Sequence, residues 1–323
     1  MNNILIFGGL ILDRYFLVDK FPEHSKDGFI YDSFDIAGGC AINMAKTIQN
    51  LGGTGYVVSY IGQDTWGTEI CEYMERQKLP LDCVKKIKGK TGYCLVFVES
   101  DGERTFLTSK GIEGYFSDEL ISGKVEKNCS VAVITGYYLL DETAEELVHY
   151  LGKLKSMGYK IIFDPSPLID KINSEILNGV VELSDLIIPN IQEAEYIAAH
   201  QHVNEWALTK NSIGVKVIIK KGSAGGELFQ DGKIIPYSSF PADVVDTTGA
   251  GDSFTGAISY CVSRGIHLNK AILIAAACAS IITTIKGPHG DFYITDLHEK
   301  AQEIFKSAAK VEKLYEQSDN KEV

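Results

Sequence analysis

A run of nine residues, Asp246-Thr247-Thr248-Gly249-Ala250-Gly251-Asp252-Ser253-Phe254, carries the strongest chemical signal in the chain. Phe254, Ala257, Ile258, Cys261 and Val262 follow at the spacing of one apolar helix face, so an amphipathic helix is expected to begin at the small residues. A helix N-terminus offers free N–H groups and the positive end of a dipole, and missing side chains let a phosphate approach the backbone. Asp252 falls in the first turn of that helix. A carboxylate beside an anion hole serves phosphate binding poorly, but it is well placed to take a proton from a hydroxyl that attacks the phosphate. A plainer reading stays open, in which Asp252 only complements the dipole of a capped helix.

These residues need a scaffold. Ile4-Leu5-Ile6-Phe7 before Gly8-Gly9 reads as a buried first strand closing in a tight turn. Apolar runs recur at 56–61, 131–135, 160–163, 186–189 and 215–220, and helix-like stretches at 40–51, 68–78, 144–157 and 192–200 separate most of them. This alternation predicts an α/β fold with a mostly parallel central sheet covered by helices, whose ligands bind outside the carboxyl ends of the strands. Residues 11–37 carry strand patterns without a helix between them, and 91–109 read as a hairpin turning at Asp101-Gly102. Together, 11–37 and 91–109 are expected to form a small β-sheet lid. The main domain then comprises 1–10, 38–90 and 110–310, followed by a charged tail, 311–323.

Composition removes several classes. The 323 residues include 31 basic and 43 acidic side chains, a net charge of −12, which argues against a nucleic-acid partner. Lys85, Lys86, Lys88 and Lys90 form the one basic cluster and read as a solvated loop. No apolar run reaches the roughly 20 residues of a membrane span, so no membrane partner is expected. The first residues lack the pattern of a signal peptide. Seven cysteines without a Cys-x-x-Cys pair fit a reduced, cytoplasmic protein. Glycine occurs 31 times against 8 prolines, in clusters beside apolar runs, which points to backbone work at particular turns.

The nine-residue run resembles the C-terminal signature of the ribokinase-like (PfkB) carbohydrate kinase family, and four further motifs agree in order. Gly38-Gly39-Cys40-Ala41-Ile42-Asn43-Met44-Ala45 resembles the N-terminal Gly-Gly signature, and Gly62-Gln63-Asp64-Thr65-Trp66-Gly67 the Gly-x-Asp-x-x-Gly segment. Asn190-Ile191-Gln192-Glu193 is similar to the Asn-x-x-Glu motif, and Lys221-Gly222-Ser223-Ala224-Gly225 to the turn lining the nucleotide site. The resemblance spans about residues 4–290. It implies a three-layer α/β/α sandwich with a β lid, and an ATP-dependent kinase acting on an alcohol group, most simply of a sugar. By the same resemblance Asp252 would be the general base and the amides of Gly249, Ala250 and Gly251 the anion hole. Asp13, Gly38, Gly39, Asn43 and Arg104 would meet the substrate. Asn190, Lys221, Gly222, Gly225 and Thr248 would meet the nucleotide. Glu193 would hold Mg²⁺ through water, and the family allows a monovalent cation such as K⁺ near Asp246 and the 283–290 loop.

Departures from the family pattern blur the substrate. Ile11 and Leu12 precede Asp13 where a polar residue is common, Ala41 replaces a third glycine, and Asp164-Pro165-Ser166-Pro167 replaces an Asp-x-Asn-x-x-x-Arg segment. Arg104 reads equally as a substrate contact or a solvated edge-strand charge. A nucleoside or other small-alcohol kinase of the same family is therefore the near alternative, and a non-catalytic sugar sensor the distant one. An exposed lid edge would permit a homodimer. Other patterns fail on spacing: Gly89-Lys90-Thr91 lacks the first glycine of a Walker loop, Gly8-Gly9 lacks a dinucleotide fingerprint, and Gly251-Asp252-Ser253 lacks the Asp-x-x-His of a hydrolase. His200-x-His202 has no third metal ligand in register.

Overall fold

In the computed structural model, successive side chains of the first strand enter different cores: Ile4 and Ile6 one, Leu5 and Phe7 the other. That is the two-residue period of a strand buried on both faces, and it is why the sequence shows a continuous apolar run there. The structure describes residues 3–101, 103–200, 209, 214–293 and 295–296. The chain runs through β1 (Asn3–Phe7), β2 (Ile11–Val18), β3 (Ile30–Gly38), α1 (Cys40–Asn50), β4 (Thr54–Gly62), α2 (Thr65–Arg76), β5 (Val84–Ile87), β6 (Tyr93–Val98) and β7 (Arg104–Ser109). It continues with α3 (Gly123–Asn128), β8 (Val131–Thr135), α4 (Ala144–Ser156), β9 (Lys160–Asp164), α5 (Ser174–Leu183), β10 (Leu186–Ile187) and α6 (Ile191–His200). Then come β11 (Lys216–Lys220), β12 (Gly226–Gln230), β13 (Lys233–Tyr237), α7 (Ala250–Ser263) and α8 (Leu268–Ile282).

Among the described residues, nine strands form one sheet in the order β13-β12-β11-β10-β9-β8-β1-β4-β5. Every pairing from β11 to β5 is parallel, and only the β12–β13 hairpin adds antiparallel strands. Helices α1, α2, α7 and α8 bury Met44, Ile70, Ile258 and Ile272 against one face. Helices α3 to α6 bury Val125, Leu151, Leu177 and Ile197 against the other. The result is a three-layer α/β/α sandwich. The chain leaves β1 toward β4 and β5, then returns to β8 on β1's opposite side, so strand order reverses between β1 and β8. A crevice opens at such a reversal, outside the carboxyl ends of the strands.

A second sheet, in the order β3-β2-β6-β7, stands apart from the first. Tyr15 stacks on Phe34 with ring centroids 4.8 Å apart, over buried Cys94 and Val96. Two carboxylates pin its roots. Asp64 accepts from the Thr91 amide at 2.7 Å and from Gly67 N at 2.8 Å, capping α2 at the same time. Glu113 accepts from the amides of Gly92 and Gly111, each at 3.0 Å. Lys85 and Lys86 of the basic cluster lie exposed on β5 rather than in a loop, because their strand is the sheet's edge. No helix among the described residues is long and apolar enough to cross a membrane. All seven cysteines are free. Gly102, His202 and the tail 311–323 lie outside the described residues.

Candidate active site

The first turn of α7 is bent into place by Gly249. Its φ of 74° is left-handed, and a Cβ there would fall on the Pro288 carbonyl, so only glycine fits between the loop and the helix. The Ala250 amide donates to the Thr247 carbonyl at 3.3 Å and closes the turn. One turn into the helix, Asp252 Oδ2 accepts a 2.7 Å hydrogen bond from Asn43 Nδ2. Asn43 comes from α1, whose N-terminus opens into the same crevice, and its Oδ1 is buried without a protein partner. Desolvation raises the Asp252 carboxyl above its ordinary value, opposed by the Asn43 bond and reinforced by Asp164.

Asp13, on β2, points into this crevice from the second sheet. A Cβ at Gly38 would land on the Asp13 carboxylate, so that glycine makes room for it. Burial pushes the Asp13 carboxyl up to about 7, Asp252 adds to the rise, and a hydrogen bond from the Gly39 backbone opposes it.

Three cavities meet here. One of about 360 Å³ is lined by Gly9, Asp13, Gly39, Asn43, Thr248 and Asp252, with Ile11 and Phe106 at its apolar end. A second, about 400 Å³, gathers Asp164, Asn190, Glu193, Lys220, Gly251 and Asp252. A third, about 460 Å³ and mostly apolar, lies among Gly222, Gly225, Phe240, Val244, Phe254 and Ala279. Asp252 lines the first and second, whereas Lys220, Gly222 and Gly251 line the second and third. The first cavity, on the expected acceptor side, and the third, nucleotide-sized one therefore each share walls with the second.

Asn190 and Glu193 form a reciprocal cap on α6. Glu193 accepts from Asn190 N at 2.8 Å and Nδ2 at 2.9 Å, while Asn190 Oδ1 accepts from Glu193 N at 2.8 Å. Desolvation pushes the Glu193 carboxyl up to about 7, against the pull of Lys220 and with the push of Asp164. No group of three ligating side chains gathers among the described residues. The oxygen donors of Glu193 and Asn190 beside this bay still fit a Mg²⁺ that keeps its waters and takes its other ligands from phosphates.

Other expected residues land elsewhere. Lys221 turns to Glu227, 2.7 Å away, and does not line the nucleotide-sized cavity. Thr248 faces the acceptor cavity, and its Oγ1 is buried without a partner. Arg104 is not a solvated edge-strand charge. Its Nη2 lies 3.0 Å from Asp246 Oδ1, its Nη1 donates to Thr247 Oγ1 at 2.7 Å, and its side chain is 13% exposed. Asp246 also accepts from Thr248 N at 2.8 Å and Gly287 N at 3.0 Å. The carboxylate near which a monovalent cation was expected is thus already paired with a guanidinium.

The residues that sequence reasoning passed over are Lys220 and Asp164. They end β11 and β9, at the carboxyl ends where ligands bind, and that rule would have found them.

Comparison with known proteins agrees with this geometry. The pfkB family carbohydrate kinase profile matches residues 1–292. An uncharacterized sugar kinase of Escherichia coli, YegV, is 28% identical over 292 residues, covering 88% of this chain and 90% of its own. A nucleoside kinase of Methanothermobacter thermautotrophicus is 26% identical over 288 residues, covering 88% and 91%. The structure of Arabidopsis thaliana ribokinase complexed with ribose and ATP superposes with a TM-score of 0.71 at 24% identity, covering 92% of this chain and 97% of that one. With its sandwich, its second sheet and a family match over nearly the whole length, the chain belongs to the pfkB family of carbohydrate kinases and is an ATP-dependent phosphotransferase.

Proposed function

We propose that the protein transfers the γ-phosphoryl group of ATP to a hydroxyl of a small polyhydroxylated substrate, a sugar, bound in the 360 Å³ cavity. The observation that carries this reading is the position of Asp252, on the wall between the acceptor cavity and the bay that leads to the nucleotide-sized cavity. Asp252 takes the hydroxyl proton as the oxygen–phosphorus bond forms, and burial raises its proton affinity above that of an ordinary carboxylate, which favours this role. The amides of Gly249 to Gly251 and the dipole of α7 stabilise charge on the transferring group. Asp13, Gly38, Gly39 and Asn43 orient the acceptor, and the orphaned Asn43 Oδ1 stands ready to accept from a hydroxyl. Gly222 and Gly225 border the nucleotide, with Asn190 at the phosphate bay and Thr248 at the acceptor side. Glu193 and Asn190 would hold Mg²⁺ through water, and the bound ion would neutralise phosphate charge.

The second sheet, residues 11–37 and 91–109, acts as the lid that excludes water from the phosphoryl donor. Its open β3 edge pairs two protomers, and seven free thiols suit a reducing cytoplasmic setting. A nucleoside as acceptor is the second reading. It is favoured by the apolar end of the acceptor cavity, where Ile11, Phe106, Leu140 and Leu168 would flank a base.

ADP release measured across a panel of sugars and nucleosides decides between these readings, with Asp252→Asn as the control. One compound should elicit turnover, and the variant should lose about 10²- to 10⁴-fold of it while still binding nucleotide. No ADP release with any compound, or an Asp252→Asn variant near wild-type rate, would refute the assignment.

A further inference from the structure

The phosphate bay gathers three carboxylates, Asp164, Glu193 and Asp252, yet it must admit the most negative part of the nucleotide. Among the described residues one cationic side chain faces it. Lys220 ends β11, and its ammonium is held 2.7 Å from Asp164 Oδ1. The other Asp164 oxygen accepts from Thr255 Oγ1 at 2.6 Å, so α7 fixes the carboxylate that aims the lysine. Asp164 and Lys220 are largely buried, with side chains 8% and 19% exposed. Although burial opposes its charge, the neighbouring Asp164 and Glu193 carboxylates keep Lys220 protonated.

Two further facts give the ammonium a direction. Lys220 is the one charged side chain that lines both the bay and the nucleotide-sized cavity. A Cβ at Gly251 would lie 3.8 Å from Lys220 Nζ, in ordinary contact, so the ammonium lies beside the first turn of α7. An ammonium carries three donors, and Asp164 is its one hydrogen-bond partner among the described residues.

We propose that Lys220 is a catalytic residue, whose ammonium binds the phosphoryl group as it passes from the nucleotide to the acceptor at Asp252. This rests on the kinase reading above. As the acceptor oxygen bonds to phosphorus, its proton goes to Asp252 and the bond from the γ-phosphorus to the β-bridging oxygen breaks. The electron pair of that bond stays on ADP. Lys220 keeps its three protons and follows the charge that spreads over the transferring oxygens.

The rival account is that Lys220 only neutralises buried Asp164. Lys220→Met alone leaves that carboxylate uncompensated, so the deciding variant is Lys220→Met combined with Asp164→Asn, which removes both charges. Thermal unfolding should show the double variant as stable as the wild type, while kcat stays about 10²- to 10³-fold down, the loss typical of removing one donor to a developing anion. Lys220→Arg should recover part of the rate. A double variant that returns to near wild-type turnover would overturn the proposal. If the wild type releases no ADP with any compound, the kinase reading fails, and titrations with ATP and ADP alone decide on Lys220. Loss of the preference for ATP in the double variant supports contact with the terminal phosphate, and an unchanged preference overturns it.

Discussion

Asp13 on β2 and Asp252 on α7 reach one cavity, and burial together with the Asp252 carboxylate raises the proton affinity of Asp13. The Asp13 carboxyl, at about 7 in the folded chain, stands near 3.8 when exposed. Between those pH values the folded protein holds a proton that the unfolded chain has released, so stability falls as pH rises through that window, by about 1.4 kcal/mol per pH unit. Asp13→Asn removes the penalty. Urea unfolding should show the stability of the variant relative to wild type growing by about 2–3 kcal/mol between pH 5 and pH 8. A difference that does not change with pH would mean that Asp13 is not buried as a carboxylate. At this scale the sequence was legible where chemistry depends on neighbours in the chain. Gly249, Gly251 and Asp252 announce themselves by spacing, because a helix N-terminus is a local structure. Lys220 does not, since its meaning comes from Asp164, 56 residues away. Beside it, Lys221 matched a motif but, one residue past the end of β11, pairs with Glu227.

The elements that matter are α7, the 283–290 loop and the second sheet, and they are tied together more closely than any motif suggests. Pro288 packs against Gly249, while His289 contacts the Ala37 carbonyl at 2.7 Å and the Tyr73 hydroxyl at 3.1 Å. Lys286 lies over the Phe34 ring at 4.2 Å. Arg104 completes the connection from β7 to Asp246. The N-terminus of α7 is therefore braced from the second sheet. Arg104→Met should raise the KM for the acceptor by roughly tenfold or more and lower kcat with it, as expected when closure is impaired. Wild-type turnover should be the same in potassium and tetramethylammonium chloride, whereas the variant, with Asp246 exposed, should gain activity from potassium. A wild type that itself requires potassium would show that Arg104 does not replace the cation. Elements were read best where periodicity was strong, as at β8 and α4. The β12–β13 hairpin escaped notice although Asp231-Gly232 sits between its strands, the same turn signal that marked 101–102. Helix α2 begins at Thr65 rather than Thr68 because Asp64 caps it, a local signal outweighed by the apolar period.

For the whole molecule, alternating strand and helix patterns predicted a mostly parallel sheet covered by helices, but not how the second sheet meets the first, since contacts such as Arg104 to Asp246 join distant segments. That sheet also ends in an unpaired strand. Strand β3 pairs with β2 on one side only, and around its start Phe29, Ile30 and Tyr31 are 84%, 52% and 66% exposed. An exposed apolar edge of this kind pairs with another chain unless something blunts it. A lid-to-lid pairing through β3 would cover the stripe, and a lasting dimer needs about 1,000 Å² or more of buried surface. Sedimentation at tens of micromolar should show a dimer, and Ile30→Lys with Tyr31→Glu should convert it to a monomer. Because β3 runs directly into Gly38-Gly39 and the start of α1, that variant should weaken acceptor binding more than nucleotide binding. A wild-type monomer at every concentration, or a variant that still dimerises, would place any interface elsewhere and leave β3 to serve the active site from within a single chain.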